Sequence, residues 1–177
     1  MMRTNEQCEL EGLRQVAELI CVAARTAPKA RGRDNIVTAI VEDEAERARL
    51  AERMREIGER AGAAFFARDA DCLMAAPIAV ILGTRLERLG IPGCSFCGYD
   101  GCAACEQAGA RCSYNAGDLG IAIGSAVACA ADHRVDNRVM YSMGNAAVEL
   151  GLLGPEVRIA HGIPLSAQGK NIFFDRG

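Results

Sequence analysis

Leu10, Leu13, Ala17, Ile20 and Ala24 recur at intervals of three and four, a spacing that lines one face of a helix over Glu6–Ala27, ended by Pro28. After a polar, basic turn, Asn35–Val41 (NIVTAIV) is apolar on both alternating faces and rich in β-branched residues, which predicts a central strand buried on both sides. Asp43 to about Gly62 returns to the helical period. Leu50, Met54, Ile57 and Ala61 face inward, while Glu and Arg alternate outside at i,i+4 spacing. Phe65–Met74 has no decisive period, and Ala76–Gly83 reads as a second buried strand.

Further along, Asp118 is placed as the N-cap of a helix running to about Ala131. Gly120, Gly124 and Ala128 fall on one face of it, so something is expected to approach closely there: another helix, across a homodimer contact, or a flat cofactor ring. A helix over Val139–Leu150, ended by Gly151, and a strand over Glu156–Ala160 follow. In the tail, Gly162–Gly177, the rings of Phe173-Phe174 are expected to dock on the body or on a second subunit together with Asp175-Arg176. The sum is an α+β fold: a small central sheet of about three to five strands flanked by helices. With 177 residues, the chain reads as one domain, 1–177.

Half of the residues are hydrophobic and the net charge is −3, which leaves no basic field for nucleic acid; no apolar run is long enough to span a bilayer. Nine cysteines, an odd number, with no leader of signal-peptide type, place the chain in the reducing cytoplasm, where clustered cysteines hold metal or do chemistry. Cys8 and Cys21, alone on the first helix, and Cys129 read as core thiols. His133 beside Asp132 reads either as a proton-transfer pair or as polar bracing between helices, and His161 has no assigned role. No Walker loop, G-x-G-x-x-G or G-x-S-x-G stands in the sequence.

The remaining chemistry is concentrated in residues 93–112, GCSFCGYDGCAACEQAGARC. Cys94, Cys97 and Cys102 have C-x2-C-x4-C spacing, Cys105 and Cys112 follow closely, and Gly93, Gly98 and Gly101 relieve the turns between them. Short intervals of this kind hold iron–sulfur clusters. Structural zinc more often takes two C-x2-C pairs a dozen or more residues apart, and free thiols are the third reading. Lys29, Arg31 and Arg33, in the turn after Pro28, form either an anion seat or a solvated basic loop.

CSFCGYDGC resembles the start of the bacterial-type four-iron domain of electron-transfer complex subunits, C-x2-C-G-x-x-G-C. The resemblance implies a [4Fe-4S] cluster on Cys94, Cys97 and Cys102, with Cys112 as fourth ligand and Cys105 as the competitor. The stretches from Asp118, from Ala131 to Arg138 and from Gly162 to Asn171 are similar to a prokaryotic family of ferredoxin-domain-containing proteins. Helix, Ala-Pro basic turn, buried strand and charged helix together resemble the opening of FMN-dependent nitroreductases, without their Arg-Arg-Ser element. That likeness implies a nitroreductase-like sandwich with the Cys-rich loop as an insertion, and FMN phosphate at Lys29, Arg31 and Arg33. The expected activity is one-electron transfer on an iron–sulfur cluster, with a flavin oxidoreductase and a zinc-stabilised interaction module as alternatives. A redox protein or small-molecule electron acceptor is the expected partner.

Overall fold

The structure, a computed structural model, describes residues 2–174. Helix α1 (Asn5–Thr26) opens on a capping box: the Thr4 hydroxyl accepts from the Gln7 N–H, and the Gln7 side chain accepts from the Thr4 N–H. A single 3-10 turn, Ala30–Gly32, leads into β1 (Ile36–Val41), α2 (Glu44–Ala61), α3 (Phe65–Ala75) and β2 (Ile78–Arg85). After the cysteine loop come α4 (Gly101–Gln107), α5 (Ser113–Asp132), the two-residue β3 (Asp136–Asn137), α6 (Tyr141–Glu149) and β4 (Val157–Ser166).

The strands form one antiparallel sheet in the order β1-β2-β4-β3. Alternation along β2 divides the core in two. Ile78, Val80 and Leu82 meet α1 and α5 on one face, through Leu13, Ile20, Leu119 and Ala126. Ala79 and Ile81 meet α2, α3 and α6 on the other, through Leu50, Met54, Leu73 and Met143. The result is the expected α+β sandwich, a small sheet with helices on both faces. No helix among the described residues is long and apolar enough to cross a membrane.

Several expectations need correction. The strand NIVTAIV is at the sheet edge, not the centre: β1 pairs only with β2, and Ile40 is 39% exposed. An apolar run reports the faces of a strand, whereas strand order is set by pairing partners far away in the chain. Phe65–Met74 is helical, and its buried Asp69 accepts the Ser142 hydroxyl of α6 at 2.6 Å and Arg68 at 2.8 Å. β4 continues through the residues assigned to the tail, so His161 lies mid-strand opposite Leu82. Gly162 does not break the strand, since it pairs with Ile81 of β2, and Met143 fills the space a side chain would take.

Close approaches that leave no room for a side chain are on other helices: a Cβ at Gly144 on α6 would overlap the Ala160 carbonyl of β4, and one at Gly58 on α2 would meet Phe66 of α3 at 2.7 Å. Gly120 and Gly124, by contrast, face outward with nothing of the chain near them, and Ala128 is exposed. Phe173 is buried against the core, Arg138 donates to its carbonyl at 2.9 Å, and the same guanidinium covers the Phe174 ring at 5.3 Å. Asp175-Arg176 lie outside the described residues. Cys8 is exposed and Cys21 and Cys129 are half-buried, so none of the three is a fully buried core thiol.

Candidate metal centre and its surroundings

Residues 86–100, after β2, form no helix or strand, and the cysteines are set between tight turns. The Cys94 N–H donates to Ile91 O, Gly98 N–H to Ser95 O at 2.8 Å, and Gly101 N–H to Tyr99 O at 2.9 Å. Gly98 and Gly101 take φ of 84° and 77°, values that a side chain would strain. Cys102 and Cys105 ride on α4, and Cys112 is the N-cap residue of α5 with no cap hydrogen bond from its side chain. Asp118, expected as that N-cap, sits inside α5, because the polar Ser113–Gly117 stretch is already helical.

All five thiols are free. Those of Cys94, Cys97, Cys102 and Cys112 are half-buried, and that of Cys105 is buried. Cys105 donates to the Ala110 carbonyl at 3.5 Å. Burial, and after it the adjacent Cys97 thiol, pushes the Cys105 thiol up from its ordinary range. An ion pair between Arg88 and Glu106 at 2.9 Å, and the Phe96 ring against Tyr114 at 5.2 Å, brace the loop on its two sides. As a donor set, five thiols suit an iron–sulfur cluster. As geometry the loop is open: among the described residues, no three His, Cys, Asp or Glu side chains converge on a common point.

The basic turn is engaged with the chain itself. Lys29 Nζ donates to the carbonyls of Ala24, Arg25 and Ala27 at 2.9, 2.7 and 2.7 Å, closing the C-terminus of α1 with all three of its protons. Arg31 takes a left-handed φ of 58° and donates to Leu89 O and Gly90 O at 2.6 and 3.0 Å, which fastens the approach to the cysteine loop. Both carboxylate oxygens of Asp118 lie 3.1 Å from the Ala30 N–H, so the turn's own backbone anion seat holds a protein carboxylate. Arg33 is exposed. Of the three expected phosphate contacts, it is the one not committed to the chain among the described residues.

His133 is an exposed C-cap residue. The structure also brings together polar residues that the sequence does not single out: Arg111, Asn115 and Arg158 share a cavity beside Cys112. Only the adjacency of Arg111 to Cys112 could have signalled it.

The architecture is that of the nitroreductases. A nitroreductase family protein from Clostridium novyi NT matches with a TM-score of 0.60 over 87% of this chain and 74% of its own, at 16% identity. An FMN-dependent nitroreductase from Clostridium difficile matches with 0.58 over 89% and 77%, at 14% identity. These likenesses define a nitroreductase-like fold. In sequence, an uncharacterized protein of Archaeoglobus fulgidus is 35% identical over 184 residues, covering 99% of this chain and 98% of that one. The family model described as "Uncharacterized protein containing a ferredoxin domain" matches residues 108–176, a span that includes Cys112 and none of the other loop cysteines. The chain belongs to this family of ferredoxin-domain-containing proteins.

Proposed function

We propose that the chain is an iron–sulfur redox protein whose loop holds a [4Fe-4S] cluster through Cys94, Cys97, Cys102 and Cys112. The observation that carries this reading is the gathering of five free thiols on one glycine-turned loop, in a family described by its ferredoxin domain. Such a cluster, when bound, supplies one-electron transfer, and the protein sets its potential through burial and hydrogen bonds to sulfur. The open loop is compatible with this role, because metal sites commonly take their closed form only with the metal. Cys112 is favoured over Cys105 as the fourth ligand. Its thiol makes no cap bond, whereas that of Cys105 is buried on the Ala110 carbonyl.

The test is anaerobic purification followed by iron and acid-labile sulfide analysis. Brown protein with both present supports the reading. Colourless protein carrying zinc and no iron replaces it with the zinc-stabilised module. Cys112→Ser is expected to lose iron and Cys105→Ser to keep it; the reverse would exchange their roles.

The flavin reading is supported by the fold it shares with a protein named FMN-dependent, and at the basic turn it finds a single uncommitted cation, Arg33. Titration with FMN, followed by flavin fluorescence, tests it independently of iron. Leu19 and Val22 on α1, and Ile121 beside Gly120 on α5, are exposed, and a second copy of the chain would cover them.

A further inference from the structure

On the α5 side of the cysteine loop is a cavity of about 300 Å³ lined by Leu86, Arg88, Arg111, Cys112, Asn115 and Arg158, among others. A neighbouring cavity of about 230 Å³ is lined by the same Arg111 and Arg158 together with Tyr141, Asn145 and His161. Three guanidiniums line the larger cavity against one carboxylate, Glu87. Arg88 is paired with Glu106. Arg111 and Arg158 have no ion pair or hydrogen bond from their side chains among the described residues, so two adjacent cations keep their full donor sets free.

A second observation concerns Asn115, which is 1% exposed and lines the same cavity, yet neither its amide nitrogen nor its amide oxygen has a partner. A buried amide without partners is costly to the fold. Buried polar groups left in that state deserve a specific cause, and a polar ligand in the cavity is one. A bridging water is the ordinary alternative.

The geometry points to a binding site for a small oxyanion, a carboxylate or a phosphate, held by the forked donors of Arg111 and Arg158 and read by the Asn115 amide. Planar guanidiniums engage both kinds of oxyanion in two-point fashion. The cavity is at the lower end of the ligand-pocket range, which limits the occupant to a small metabolite. Arg111, Asn115 and Arg158 are not cluster ligands, but Cys112 lines the same cavity, so iron content is read alongside binding to tell failure of this site from failure of the iron–sulfur reading.

Isothermal titration of the full chain with inorganic phosphate, pyrophosphate and succinate, with iron content assayed in the same samples, tests the assignment. Saturable binding of at least one probe at one site per chain is expected, and the preferred probe distinguishes phosphate from carboxylate. Arg111→Gln and Arg158→Gln are each expected to weaken it at least tenfold, and Arg158→Lys by less. Arg49→Gln, an exposed cation on α2, is expected to leave it unchanged. Asn115→Leu should weaken binding while leaving thermal stability equal or higher, as removal of an unpartnered amide requires. Absence of saturable binding by all three probes would overturn the proposal. So would affinity that survives both arginine variants, or a loss with Arg49→Gln as large as theirs; a stability loss in Asn115→Leu without change in affinity would assign the amide to water.

Discussion

Two basic regions border the cysteine loop, and they differ in what their charges are doing. At the turn before β1, Lys29 is spent on three carbonyls at the end of α1, Arg31 on Leu89 and Gly90, and the Ala30 N–H on Asp118. On the other side of the loop, Arg111 and Arg158 bind nothing among the described residues and share a cavity with an amide that has no partner there either. The basic turn is visible in the sequence, whereas Arg111 and Arg158 lie far apart in it and share a cavity only in the fold. Only the satisfaction of donors separates a clamp from a receptor, and the turn is the clamp.

The largest expected effect comes from breaking that clamp at Asp118. Asp118→Ala leaves the Ala30 N–H without its acceptor and removes the link between α5 and the turn. A loss of about 2.5 kcal/mol is expected in urea unfolding, the upper part of the range for a hydrogen bond to a charged group. Lys29→Met keeps the packed stem and removes the ammonium from the end of α1, at a cost of about 1.5 kcal/mol. If Lys29→Met unfolds at the same urea concentration as the parent, the turn is no clamp and its charge is free for a ligand after all.

The sequence made the helices legible wherever one face met one core, as in α1 and α2, because a period of 3.6 residues is a local property. β2 was legible for the same reason. The position of β1 at the edge was not, since strand order depends on β4, more than a hundred residues downstream. β4 itself was cut short at Ala160, because the run His161-Gly162-Ile163-Pro164 shows no alternation to mark a strand until its pairing with β2 is seen. Small residues on α5 suggested close approach, yet the helix contacts within the chain that cannot accept a methyl group are at Gly144 on α6 and Gly58 on α2. The cysteine loop was visible through spacing alone. The cavity beside it was not, because Arg111, Asn115 and Arg158 meet only when α5 and β4 are assembled.

A smaller effect, confined to the open side, depends on pH. His161 lines the cavity next to the arginine pair, its Nδ1 is buried without a partner, and burial lowers its pKa from the ordinary 6.5. In the unfolded chain the imidazole takes a proton as pH falls below 6.5, while in the folded chain it resists until lower pH. Unfolding therefore binds protons in that window. The contribution is complete above pH 6.5 and is lost as pH falls toward the lowered folded value. His161→Gln should flatten the stability profile below pH 6.5 relative to the parent, whereas Lys29→Met should lower the whole curve without changing its slope there.

The smallest expected effect is the sharpest test of the contrast. Arg111→Gln and Arg158→Gln remove cations that make no bond among the described residues, so each should change unfolding stability by no more than about 0.5 kcal/mol. A loss as large as that of Lys29→Met would mean that these arginines are structural and that the two regions are the same kind of object. A negligible loss alongside the Asp118 and Lys29 costs would establish that the fold carries two exposed cations for which its own stability has no use, which is what a ligand site requires and a clamp does not.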